Sequence, residues 1–92
     1  MTLEDLTFRN NYANTCQCNS LQITSSMAAT MTRLVFEDNE SNDDCFYGSM
    51  HVVFSGDVKL LISDSTWTDN ESPENSGLSI HGNDVELENL LF

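Results

Sequence analysis

Ninety-two residues carry fifteen acids against Arg9, Arg33 and Lys59, a formal charge of −12, which excludes phosphate backbones and anionic lipid surfaces as partners, and so nucleic acid with them. A compact domain of this length buries only about 60–65% of its unfolded surface, so its core would be thin. No run of eighteen apolar residues is present, which argues against membrane insertion.

In chain order, the first element is Met1-Thr-Leu-Glu-Asp-Leu-Thr-Phe8, followed by a polar loop and a second apolar alternation, Ser20-Leu-Gln-Ile23. The sequence then starts again. Ala29-Thr-Met-Thr-Arg-Leu-Val-Phe36, Leu60-Leu-Ile-Ser-Asp-Ser-Thr-Trp67 and Val85-Glu-Leu-Glu-Asn-Leu-Leu-Phe92 align with the first element without a gap. Ser49-Met-His-Val52 and Gly77-Leu-Ser-Ile80 repeat the second alternation. Aromatic anchors at 8, 36, 67 and 92 give intervals of 28, 31 and 25 residues, the length of one coil of a solenoid. Apolar residues alternating with polar ones predict short strands, and the Asn-, Asp-, Ser- and Gly-rich stretches between them predict turns. No helix is expected. The single proline, Pro73, falls in a loop, where its missing amide hydrogen removes no ladder bond.

The expected fold is therefore an all-β solenoid of about three coils, 1–28, 29–59 and 60–84, with a fourth beginning at 85–92. Its core ladder comprises Leu3, Met31, Ile62 and Leu87 in one column and Phe8, Phe36, Trp67 and Phe92 in another. Equivalent residues on neighbouring coils would lie about 4.8 Å apart. Three places before the aromatic, the column reads Asp5, Arg33, Asp64, Asn89, and one place after it Arg9 lies over Glu37. Opposite charges thus meet across coils. Cys16, Cys18 and Cys45 occupy the same loop on adjacent coils, so a disulfide from Cys45 to one of the other two is reasonable, with the remaining thiol free or bonded to another chain. With no CxxC pair, a zinc site is not indicated.

Three residues past each complete anchor sits an asparagine: Asn11, Asn39 and Asn70. Phe8-Arg-Asn-Asn11, Phe36-Glu-Asp-Asn39 and Trp67-Thr-Asp-Asn70, each followed by a degraded small-residue turn before an apolar alternation, resemble the Phe-x-x-Asn and Gly-Gly-Ala-Ile repeats of polymorphic membrane proteins, the chlamydial-type surface adhesins. That resemblance implies a right-handed parallel β-helix with the motif asparagines laddered along a turn. It also implies an extracellular or cell-surface location and a role in adhesion or as a rigid stalk. The runner-up is a leucine-rich repeat, because Leu3-Glu-Asp-Leu-Thr-Phe-Arg-Asn-Asn11 satisfies that consensus too. Ala13, Ser41 and Ser72 stand where it wants an apolar residue.

Several groups invite a chemical reading. Asn39-Glu-Ser41 and Asn70-Glu-Ser72 are N-glycosylation sequons, although a laddered asparagine leaves no room for a glycan. The acidic stretches 37–44 and 64–74 offer oxygen ligands of the kind calcium takes, without the spacing of an EF-hand. Asp5 with Asp64, and Asp38 with Asp69, share columns, as the clustered carboxylates of β-helical polysaccharide lyases and hydrolases would. Column neighbours are more often structural, so a non-enzyme is expected. His51 and His81 are expected to face outward, in different columns. The N-terminal stretch has neither the basic nor the apolar region of a signal peptide, and no terminal caps are evident. The chain reads as a segment of a longer solenoid or as a unit stacking end to end. The leading expectation is a structural or adhesive module, with glycans as further partners; the alternative is a carbohydrate-binding or carbohydrate-active domain.

Overall fold

The computed structural model describes residues 1–13, 20–41, 49–71 and 77–92. Among them the chain is all-β, with β1 (Thr2–Glu4), β2 (Thr7–Arg9), β3 (Tyr12–Ala13), β4 (Leu21–Ser25), β5 (Ala29–Thr32), β6 (Val35–Glu37), β7 (Glu40–Ser41), β8 (Met50–Phe54), β9 (Lys59–Thr68), β10 (Leu78–His81) and β11 (Asp84–Leu91). Every pairing is parallel. A curled six-stranded sheet runs β1-β5-β9-β6-β2 with β11 also on β9, a three-stranded sheet runs β10-β8-β4, and β3 pairs β7. Successive stretches of chain therefore visit the large sheet, the β3–β7 pair and the three-stranded sheet in turn before returning to the large one.

The register is that of the gap-free alignment. Leu3 faces Met31, Met31 faces Ile62, and Ile62 faces Leu87, while Phe8 faces Phe36 and Phe36 faces Trp67. Identity of type along each column follows because a parallel in-register pair brings equivalent side chains to about strand spacing. The aromatic column is the clearest case: Phe8 and Phe36 stack at 4.9 Å between ring centroids, Phe36 and Trp67 at 5.2 Å, and Trp67 and Phe92 at 4.8 Å, with planes within 16° of parallel. Offset stacking of this kind contributes about 0.5–1.5 kcal/mol per pair beyond the area it buries.

Two columns of left-handed backbone shape the large sheet and the turn after it. Asp5, Arg33, Asp64 and Asn89 have φ of 57°, 55°, 52° and 51°; Asn10, Asp38 and Asp69 have φ of 57°, 52° and 55°. Asn and Asp tolerate this region better than other non-glycine residues. The kinked amides stay in the ladder, since Asp5 N donates to Thr32 O at 3.1 Å and Arg33 N to Ser63 O at 3.2 Å. Each kink inserts one residue out of phase with the alternation. That is why the inward residues of the second copy fall at Met31, Leu34 and Phe36, a step of three followed by a step of two.

The core is centred on the middle copies. Met31, Leu34, Phe36, Met50, Val52, Leu60 and Ile62 are fully buried, and Ala29, Phe54 and Trp67 nearly so. Leu3, Phe8, Leu21, Ile23, Leu78, Ile80 and Leu90 are partly buried against them. Two members of the expected core ladder differ. Leu87 is 48% exposed and Phe92 68% exposed, because each is stacked on one side only among the described residues. Ser65 stands in the column of Leu34 and is buried without an apolar side chain. Its hydroxyl accepts the Leu34 amide at 3.1 Å and donates to Ser63 O at 2.9 Å, so a backbone donor beside the kink is satisfied rather than orphaned. The Trp67 indole Nε1 is buried with no hydrogen-bond partner among the described residues.

The kinks predict a residue-specific response. Asp38 is exposed at φ 52°. Asp38→Gly should leave the urea midpoint nearly unchanged, while Asp38→Val, β-branched in a left-handed well, should cost about 1–2 kcal/mol; equal midpoints would show that the kink is not held in solution.

Candidate functional site: the asparagine ladder and its acidic rim

The second kink of each copy places the third residue past the aromatic inside the turn. Asn11, Asn39 and Asn70 consequently stack. Asn11 Nδ2 donates to Asn39 Oδ1 at 2.9 Å, and Asn39 Nδ2 donates to Asn70 Oδ1 at 2.9 Å. The backbone amides of Asn11 and Asn39 add donors to the same oxygens at 3.1 Å. Two of these Nδ2 groups also donate back to the chain, Asn39 to Phe8 O and Asn70 to Phe36 O, both at 3.0 Å. Asn39, fully buried, thus uses both amide hydrogens and both acceptor sites of its side chain.

The same geometry decides between sequon and ladder at Asn39. A glycan would replace a hydrogen that is already donated and would need space where none exists, so the folded chain excludes it there. Asn70 is half-buried and keeps one side-chain hydrogen outside the bonds described. Cys16, Cys18 and Cys45 lie outside the described residues, as do positions 42–44 and 72–74 of the acidic stretches.

Around the ladder, Asp38, Glu40, Asp69 and Glu71 line an open groove of about 190 Å³ with Asn39 at its floor. The column pair Asp38 and Asp69 is thereby brought to one surface. Among the described residues no group of three acidic, histidine or cysteine side chains is placed to hold a metal ion. The other column pair is not brought together as free carboxylates. Arg33 bonds both oxygens of Asp5, its Nη2 lying 3.1 Å from Oδ2, and this bond holds the Asp5 carboxyl below its ordinary range and the guanidinium above its own. Asp64 instead accepts from Asn89 Nδ2 at 3.0 Å. Arg9 meets Glu37 at 2.8 Å and Lys59 meets Glu86 at 2.8 Å, so each of the three cations is held by a neighbouring copy.

His81 is exposed and lies in a different column from His51, as expected, but His51 differs. His51 is only 5% exposed, and although its register partner is Ser79, its ring meets that of His81 edge-on at 5.8 Å. Burial, and then repulsion by His81, push the His51 imidazole below its ordinary pKa. The sequence reading also passed over Ser65 and the Lys59–Glu86 pair. The signal for the second was present, since Glu86 sits two places past Asp84, which is opposite Lys59.

Two measurements probe this region. Asn39→Ala removes two donated and two accepted bonds from a buried turn and should lower stability by about 2–4 kcal/mol, read from urea unfolding; Asn39→Asp should be worse, because it also buries a charge. For His51 the unfolded chain takes up a proton near pH 6.5 while the native chain resists it. Stability should therefore be full above about pH 6.5 and decline as the pH falls below it. The slope should vanish in His51→Gln; an unchanged slope would assign it to other groups.

No protein-family model matches the chain, and no curated protein or solved structure matches it either.

Proposed function

We propose that this chain is a right-handed parallel β-helix of about three coils that serves as a structural or adhesive module of an extracellular surface protein or filament. The observation that carries the reading is the run of unbroken columns through all copies, four stacked aromatics beside three laddered asparagines. Parallel strands that return to the same sheet are joined by right-handed connections in nearly all cases, which supports the handedness. A chain whose polar side chains are bonded chiefly to the copy above or below resists bending along its axis and presents repeated surface.

The exterior fits a spacer in water: strongly acidic, with its few cations already paired, it resists lateral clumping. A second reading is favoured by one feature. The groove of Asp38, Glu40, Asp69 and Glu71 offers carboxylates of the kind that a carbohydrate-binding or carbohydrate-active domain uses.

An antibody against the folded chain should label the outside of intact source cells, and incubation with a panel of polysaccharides should release no new reducing ends. Labelling only after permeabilisation would overturn the location. Cleavage that disappears in the double variant Asp38→Asn, Asp69→Asn would replace the structural role with an enzymatic one.

A further inference from the structure

The chain has two histidines, and the fold brings their rings together although they belong to different columns. Met50, Val52 and Phe54 of β8 lie in the core, and Leu78 and Ile80 of β10 pack against it. By alternation His51 and His81 therefore stand on the opposite face of the three-stranded sheet. His51 is opposite Ser79 and His81 opposite Val53, yet the two rings meet along the diagonal, edge-on, with centroids 5.8 Å apart. We propose that His51 and His81 share a divalent transition ion of the zinc and copper class, which ties β8 to β10 and so one copy of the repeat to the next. The inference goes beyond the structural reading above and does not depend on it.

The spacing suits a shared ion. A ring nitrogen binds zinc at about 2.0–2.1 Å, which puts the ion about 3.2 Å from the ring centre, so two rings sharing it at a tetrahedral angle have centres about 5.2 Å apart. The observed separation is larger by about 0.6 Å. His81 is exposed and has room to close that gap by turning until a nitrogen of each ring faces the ion. His51, only 5% exposed, is the fixed ligand; packing has already restricted its ring, so little freedom is lost when an ion arrives. The exposed ring also gives the ion its path from solvent. Each imidazole lends the ion one nitrogen, and the other remains for the hydrogen bond that orients a ligating ring.

The ligand chemistry selects the ion. Imidazole suits zinc, copper and nickel, whereas calcium and magnesium take oxygen. A histidine must be neutral to ligate, which its ordinary pKa near 6.5 provides at about pH 7.5. Among the described residues no third histidine, cysteine or carboxylate joins the pair, so the remaining positions on the ion go to water. That makes an open, exchangeable site rather than a closed structural one. The charge of −12 raises the concentration of cations around the chain and favours their capture.

Zinc chloride titrated into the metal-stripped full chain at about pH 7.5 should give a calorimetric binding event, raise the thermal unfolding midpoint and shift the imidazole proton resonances of both histidines. Magnesium chloride at the same concentration should do none of these. His81→Gln alters an exposed side chain and should keep the β-sheet circular dichroism. It should weaken zinc uptake by at least the roughly tenfold that loss of an outer-shell partner costs and remove the rise in midpoint. Equal uptake by His81→Gln, or a shift confined to one ring, would place the ion on other groups, the three thiols or the acidic rim among them, and overturn the shared site. A folded wild-type chain that takes up no zinc would overturn it as well.

Discussion

Everything in this molecule depends on one constraint, the parallel in-register pairing that sets equivalent residues of successive copies about 4.8 Å apart. At that distance a side chain's nearest neighbours are its own counterparts, so a column must tolerate its own repetition. Rings do so by stacking, which the Phe8, Phe36, Trp67 and Phe92 column achieves with nearly parallel planes. Amides do so by passing hydrogen from one side chain to the next, as Asn11, Asn39 and Asn70 do. Both solutions are cooperative, because each member is positioned by the copies on either side. A short chain with a thin core gains its specificity of register in this way rather than from bulk burial.

Carboxylates are the residues that repetition treats worst, and the chain has fifteen acids. Its response is to place its scarce cations in or beside acidic columns. Arg9 lies over Glu37, Arg33 over Asp5, and Lys59 beside Glu86. All of these pairs are at least partly exposed and screened, so they serve register more than stability. Arg33 shows the constraint at its sharpest. It takes a left-handed backbone that suits Asp or Asn better, in a column whose other members are Asp5, Asp64 and Asn89, and it neutralises Asp5 there. Where no cation is available, Asn89 meets Asp64 with an amide hydrogen instead.

How much of this was legible in the sequence follows from which features repeat with fixed phase. The strand register, the aromatic stack and the Arg9–Glu37 and Arg33–Asp5 contacts were readable, because a gap-free alignment of copies is itself a statement about which residues are opposite. The left-handed kinks were not read, although Met31, Leu34 and Phe36 break strict alternation by one residue, which a kink explains and a flat strand does not. Ser65 was not singled out, because its capping of the Leu34 amide depends on the kink. The burial of His51 was missed for a different reason. In the strand register it belongs to the outward phase, and the ring that meets it, His81, is not its register partner. At Asn39 sequon and ladder were both legible, and only the count of bonds at one nitrogen separates them.

The pattern of partnerships also says where chemistry can and cannot arise. A catalytic or binding site needs polar groups that converge on a space they leave unfilled. Along the sides of this fold the described polar groups converge on one another, Asn on Asn, Arg on Asp, Ser on backbone, and Trp67, whose Nε1 has no partner among the described residues, stands out in the interior. Among the described residues, one face that keeps capacity to spare is the acidic rim beside the asparagine ladder. The rim is open and its carboxylates are not gathered around an ion.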